Sequence, residues 1–281
     1  MRWLSFERNG KATFGIVTGD GVVDVGAMAP GFADLKAAIA ADALAGLAAQ
    51  AAGKAADLPL AGLTYLPVIP NPTKILCAGL NYRDHQAETG RGGEPYPTIF
   101  TRFAAAQVAH GQAMWRPKES ANLDFEGEIA LIVGKGGRRI AKEDWLSHVA
   151  GFAPYNDGSV RDWQRHTSQF TPGKNYARTG GFGPWMMTPD EVGDTNAMDL
   201  TTRLNGEVVQ HATSAQMVFS FADLMAYCST FIDLEPGDVL VTGTPGGVGA
   251  ARKPPLWMKA GDTVEVEVKP IGVLSNPIVD E

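Results

Sequence analysis

The sequence predicts a mixed, mostly antiparallel β protein of the α+β class, and three observations carry that prediction. Glycine supplies 33 of the 281 residues, well above the usual share of about 7%, which points to tight turns and close backbone approaches rather than long helices. Short β-favouring runs recur from one end of the chain to the other, and few segments show a helical pattern. The regular strand–helix alternation that builds a doubly wound parallel sheet is missing, and there is no internal repeat or low-complexity tract. At this length one large domain or two small ones is expected.

In chain order, residues 2–7, 12–18 and 21–25 are β-favouring runs separated by Asn9-Gly10 and Gly19-Asp20-Gly21. Both separators are hairpin signals, so the start reads as an antiparallel meander. Residues 32–53 are rich in Ala and Leu with few breakers and read as one packing helix that stops at Gly53. Residues 58–73 contain Pro59, Pro67, Pro70 and Pro72. Each removes a backbone donor and pushes its predecessor to extended conformation, so the segment reads as a connector. The domain boundary falls near Asn71, giving a small N-terminal domain over 1–71 and a larger one over 72–281. Strands are expected over 74–79, 98–103 and 125–133, with a polar segment over 81–93. Further strands are expected over 199–204, 239–242 and 263–268, the last alternating Val and Glu with one wet face. Only 142–149 and 220–231 read as helical in this half.

Composition narrows the function. With 44% hydrophobic and 20% charged residues the chain is neither disordered nor long enough in any apolar run to span a membrane. Lys and Arg number 24 against 31 Asp and Glu, a net charge of -7, so no general positive field exists to hold nucleic acid. A small-molecule partner is expected instead. Cys77 and Cys228 cannot build a disulfide framework, and Arg2 puts a charge before any apolar leader could form, so the expected setting is a reduced cytoplasm.

The most informative stretch runs from Asn122 to Val133 and includes Asp124, Glu126 and Glu128. In a strand these alternate residues share a face. A lone Glu-x-Glu is ordinarily an exposed strand face. Here both faces turn apolar as the strand proceeds, and two carboxylates, Glu126 and Glu128, at the mouth of a buried strand need a cation. Oxygen ligands without Cys or His suit a hard ion such as Mg2+. Asp157 in Tyr155-Asn-Asp-Gly-Ser159 is the best third carboxylate, although Asn-Asp-Gly by itself reads as a turn.

His85 and Glu88 are three apart, so on one helical turn the carboxylate can orient the imidazole as a base for water. An isolated His-x-x-Glu is otherwise a solvated turn. Lys174 is an electrophile candidate against the ordinary reading of a solvated surface lysine. The loop Thr242-Gly-Thr-Pro-Gly-Gly-Val-Gly249 has the look of a phosphate cradle but lacks the Lys-Ser/Thr ending of a P-loop. Its amides and Thr244 can instead hold a small carboxylate. No Gly-x-Ser-x-Gly elbow is present, which leaves a serine hydrolase without support.

In order along 72–281, the chain carries Gly-Leu-Asn-Tyr-x-x-His-x-x-Glu at 79–88, Asp-Phe-Glu-Gly-Glu at 124–128, Asn-Asp at 156–157 and Arg-Asp-Trp-Gln at 161–164. Gly-Lys follows at 173–174, Leu-Asn-Gly-Glu at 204–207, and then the glycine loop. Each is weak alone; together they resemble the fumarylacetoacetate hydrolase superfamily. The resemblance implies a mixed β-sandwich roll with a small N-terminal α/β domain, and a homodimer. It also implies a Mg2+ or Mn2+ ion on Glu126, Glu128 and Asp157, with the His85 segment as a lid over the substrate. His85 and Glu88 would act on water and Lys174 would meet the substrate's oxygen. Arg161, Gln164 and Thr244 fall where the family contacts substrate carboxylate or metal-bound groups. One departure concerns Phe100-Thr-Arg-Phe103, where many members read Phe-Leu-Lys-Pro; Arg102 is expected to bind a distal carboxylate with a planar fork.

The expected activity is metal-dependent hydrolysis of a carbon–carbon bond in a 1,3-diketo acid, an acylpyruvate such as fumarylpyruvate, giving pyruvate and a carboxylic acid. Oxaloacetate decarboxylation and isomerisation of a hydroxymuconate-type diacid are the alternatives on the same site. A non-enzymatic ion-binding fold is the reading from another class, against which the His85–Glu88 pair stands.

Overall fold

The computed structural model describes residues 1–281. Its strands form a thirteen-stranded sheet, a five-stranded sheet and a separate two-stranded ladder. Nearly all pairings are antiparallel; the parallel ones include Val239–Val241 beside Ile75–Gly79. The mixed β architecture expected from the sequence is thus observed.

The large sheet is built outward from Gly127–Val133, which pairs with Val149–Asp157 on one side and Val239–Val241 on the other. Alternation along this strand divides the core. Ala130 and Ile132 pack into an apolar cluster with Trp3, Phe14, Leu35 and Ala153. Ile129, Leu131 and Val133 face a second cluster that contains Leu200, Val266, Val268 and Leu274 of the five-stranded sheet. A strand buried on both faces is what the apolar run implied, and it makes the two sheets a sandwich.

Gly127 sets how closely the two sheets approach. A Cβ there would lie 1.9 Å from Thr202 Oγ1, so any side chain would force the Asp199–Leu204 strand away from the site.

The N-terminal meander forms as predicted. Arg2–Arg8 pairs with Lys11–Thr18, which pairs with Gly21–Asp24. Its first strand also pairs with Met186–Met187, so residues from 1–71 and 72–281 share one sheet and one core. The single helix expected over 32–53 is two, Leu35–Ala40 and Leu44–Ala51. They are separated where Asp42 takes φ 52°, a left-handed turn that a polar Asp tolerates better than the surrounding alanines. The proline-rich connector contributes strands Leu58–Pro59 and Thr64–Tyr65 at sheet edges. Residues 142–149 fold as tight 3-10 turns over Lys142–His148, and Ser220 caps an α-helix at Phe221–Phe231.

The strand expected over 125–133 is interrupted. Leu123–Asp124 pairs with Ser159–Val160 in the two-stranded ladder, and Phe125 and Glu126 bridge from it to Gly127. Val149–Asp157 runs straight through Asn156 and Asp157 instead of turning before them.

Candidate functional site

Register brings the carboxylates together. Gly127 pairs with Asn156, and the Asp157 amide donates to the Glu126 carbonyl at 2.8 Å, so Glu126 and Asp157 stand opposite each other. Glu128 lies two residues along, on the same face. One oxygen from each of Glu126, Glu128 and Asp157 lies within 4.8 Å of the others, and all three residues are buried. The same edge of the sheet also receives the C-terminal ends of Ile75–Gly79 and Val239–Val241. Those ends deliver the His85 helix and the glycine loop, and a cavity of about 420 Å3 opens over Glu126 and Glu128.

Lys174 closes the short helix Thr171–Lys174 and is buried, not solvated. Its Nζ donates to Glu126 Oε2 at 2.5 Å and to Asp157 Oδ2 at 2.6 Å. Arg161 Nη2 lies 2.6 Å from Glu126 Oε1, and its Nε donates to Asp124 Oδ2 at 2.7 Å. Burial opposes ionisation of Glu126, but Arg161 and Lys174 outweigh it and hold its carboxyl well below the usual range. Burial likewise opposes charge on Lys174, and Asp157 and Glu126 overcome it, so the ammonium stays protonated.

Glu128 differs. It accepts a hydrogen bond from the Gly243 amide at 2.5 Å and pairs with no cationic side chain of the chain. Burial, with Asp157 and Glu126 as like charges beside it, pushes its carboxyl well above the ordinary value. A buried carboxylate cluster with one member lacking a counter-charge, and offering only oxygen donors, fits a hard divalent cation.

The helix Arg83–Thr89 carries the expected dyad. His85 is 6% exposed and its Nδ1 lies 2.7 Å from Glu88 Oε1. An ionised carboxylate only accepts, so Nδ1 is the donor and Nε2 is left basic. Glu88 Oε2 accepts from the Gly247 amide at 2.8 Å. Asn81, at the root of the helix, donates to the Thr242 carbonyl at 2.8 Å and accepts from the Phe219 amide at 2.8 Å.

The glycine loop does hold carboxylates, and they are the protein's own. Gly243 takes Glu128, Gly247 takes Glu88, and the amides of Gly249 and Ala250 take Asp124 at 2.8 and 3.0 Å. A Cβ on Gly249 would lie 1.8 Å from the Leu256 carbonyl oxygen and 2.6 Å from Asp124 Oδ1, which explains that glycine. Thr244 lines the cavity and donates to the Gly127 carbonyl at 3.0 Å, while Gln164 lines it and accepts from Arg161 Nη1 at 2.9 Å.

Arg102 is placed otherwise than expected. It is 2% exposed and is absent from the cavity wall. Its Nη1 pairs with Asp157 Oδ1 and donates to the Gly158 carbonyl at 2.9 Å, and Nη2 donates to Thr179 Oγ1 at 2.9 Å. Tied to Asp157, the Gly158 carbonyl and the Thr179 hydroxyl, it has no fork to offer a distal carboxylate. The sequence placed Asp124 on the face of Glu126 and Glu128 and Asn81 and Asn156 within motifs without giving them a role, and it did not single out Gln210. Asn156 Oδ1 accepts from the Glu126 amide at 3.0 Å and Gln210 Oε1 from the Gly127 amide at 2.9 Å.

No helix is long and apolar enough to cross a membrane. A model of the fumarylacetoacetate (FAA) hydrolase C-terminal domain matches residues 74–279. The mitochondrial oxaloacetate tautomerase Fahd2a of Rattus norvegicus is 38% identical over 265 residues, 93% of this chain and 85% of that protein. A fumarylacetoacetate hydrolase from psychrophilic Exiguobacterium antarcticum superposes with TM-score 0.85 at 30% identity over 100% of both chains. The maleylpyruvate hydrolase from Sphingobium sp. SYK-6, in complex with manganese(II) and pyruvate, superposes with TM-score 0.84 at 27% identity, covering 100% of this chain and 99% of that one. With the motifs, the sandwich and the carboxylate cluster in agreement, the chain belongs to the fumarylacetoacetate hydrolase family.

Proposed function

We propose that this protein is a divalent-metal-dependent enzyme that moves a proton on a small 2-oxo acid, and that keto–enol tautomerisation of oxaloacetate is its reaction. The observation that carries the reading is the dyad of buried His85 with Glu88 on the wall of a cavity lined also by Glu126 and Glu128, which cluster with Asp157. Those three carboxylates would hold Mg2+ or Mn2+, which when bound supplies Lewis acidity to the oxygens of the 2-oxo acid.

The chain's own groups do the rest. His85, its Nδ1 hydrogen committed to Glu88, takes the proton from the carbon next to the carbonyl through Nε2. An ammonium has three donors, and Lys174 spends two on Glu126 and Asp157. The third is free to meet the carbonyl oxygen as it gains charge. Arg161, Gln164 and Thr244 line the same cavity and orient the acid end. Oxaloacetate ranks first because the relative named a tautomerase has the higher sequence identity of those compared.

The second reading is hydrolysis of an acylpyruvate such as fumarylpyruvate. Water, deprotonated by His85, adds to the distal carbonyl, the carbon–carbon bond breaks, and pyruvate leaves with a carboxylic acid. It is favoured by the whole-chain likeness to a maleylpyruvate hydrolase holding pyruvate. Metal-stripped protein is to be incubated with oxaloacetate, acetylpyruvate and fumarylpyruvate, with and without Mg2+. Metal-dependent acceleration of enol–keto exchange without new products supports the first reading. Pyruvate with acetate or fumarate supports the second, and carbon dioxide from oxaloacetate replaces both with decarboxylation. A homodimer and a reduced cytoplasmic setting remain part of this proposal, the latter supported by two buried, unpaired cysteines.

A further inference from the structure

With Arg102 turned onto Asp157, a distal carboxylate needs another partner, and the cavity supplies one. Four lysine and arginine side chains line it: Arg91, Arg161, Arg165 and Lys174. Arg161 and Lys174 are buried and committed to Asp124, Glu126 and Asp157. Arg91 and Arg165 are exposed, and neither makes an ion pair or a side-chain hydrogen bond within the protein.

They arrive from different elements. Arg91 follows Gly90, whose φ of 64° ends the His85 helix, and Arg165 ends the short helix Arg161–Gln164. Two guanidinium groups that line one cavity and make no ion pair of their own are free to meet a bound anion. Phe100 and Phe170 line the same cavity edge-to-face with centroids 5.6 Å apart. That wall suits the short carbon backbone of a substrate with a negative group at each end.

We propose that Arg91 and Arg165 form a clamp for the distal carboxylate, making the cavity selective for 2-oxo dicarboxylates over 2-oxo monocarboxylates. The proposal rests on the reading that Glu126, Glu128 and Asp157 hold the 2-oxo acid end through a divalent ion.

The test compares 2-oxoglutarate with 2-oxopentanoate, which have the same chain length and differ only at the distal end. Calorimetric titration of full-length, Mn2+-loaded protein at low salt gives both Kd values for wild type, Arg91→Gln, Arg165→Gln and the double variant. Wild type is expected to prefer the dicarboxylate by about tenfold or more. The double variant should bring the ratio to within about twofold of unity, leaving the monocarboxylate Kd unchanged. Added salt should erode the wild-type preference, since exposed charges are screened. Both side chains are exposed, so thermal unfolding of the variants should match wild type. Equal affinities in wild type, or a preference that survives in the double variant, overturns the clamp while leaving the metal-site reading standing. If neither ligand binds more tightly with Mn2+ than without it, the metal-site reading falls and the clamp falls with it.

Discussion

Arg102 and Asp157 form a buried ion pair in which the guanidinium occupies one carboxylate oxygen, leaving the other to Lys174. The arginine therefore acts on the candidate metal ligand and not on the cavity.

Replacing Arg102 by Met leaves Asp157 buried with one counter-charge fewer. Loss of one partner from a buried pair costs about 3–5 kcal/mol, so chemical denaturation should show a fall of that order. Mn2+ affinity of the folded fraction should drop with it. Arg102→Lys, which keeps the charge but not the fork, should fall between the two. Unchanged stability and Mn2+ affinity in Arg102→Met would contradict the pairing.

Removal of the divalent ion is expected to abolish turnover while far-UV circular dichroism stays native, because the two apolar clusters do not depend on the site. At free Mn2+ about 100 times Kd, binding should add about 2.7 kcal/mol of stability. Glu128→Gln should lose most of that increment. Collapse of the fold on chelation would instead favour a structural ion.

His85→Ala should lower kcat by about 100-fold or more, the usual contribution of a positioned general base. Glu88→Gln should act in the same direction, since an amide no longer fixes the imidazole tautomer. Steady-state assays on oxaloacetate and on the acylpyruvates read both variants. Full turnover by His85→Ala would remove the dyad from the mechanism.

Asp24 gives a pH dependence independent of the site. Burial raises its carboxyl pKa, but hydrogen bonds from Arg8, Thr13 and the Ala27 amide outweigh that and leave it below the usual value. A depressed folded-state pKa contributes stability above the unfolded pKa and loses it as pH falls through the folded one. Asp24→Ala should therefore cost about 1–2 kcal/mol at neutral pH, part of it the lost helix cap. The gap from wild type should close in acid, as denaturation at pH 7 and pH 3 will show.

Gly127→Ala should destabilise by about 1–3 kcal/mol through overpacking, because its methyl would meet the Thr202 hydroxyl. Combining it with Thr202→Ala should recover part of the loss. Additivity of the two would mean the sheets do not meet there.

The mixed β architecture, the two-faced burial of the central strand, the Glu126–Glu128 pair and the spacing of the dyad are legible in the sequence. Those signals are local: hairpin glycines, alternation of apolar residues and a three-residue His–Glu spacing depend on short-range geometry. The partners of the charged side chains are set by the folded chain. Asp157 reads as a turn residue until strand register sets it opposite Glu126. Lys174 reads as solvated until two carboxylates close around it, and Arg102 as a ligand for substrate until Asp157 claims it. The glycine loop reads as a cradle for a ligand, yet its amides hold Glu128, Glu88 and Asp124. A charged side chain's role depends on which opposite charge lies within a few ångströms in low dielectric, and residues tens of positions away in sequence supply it.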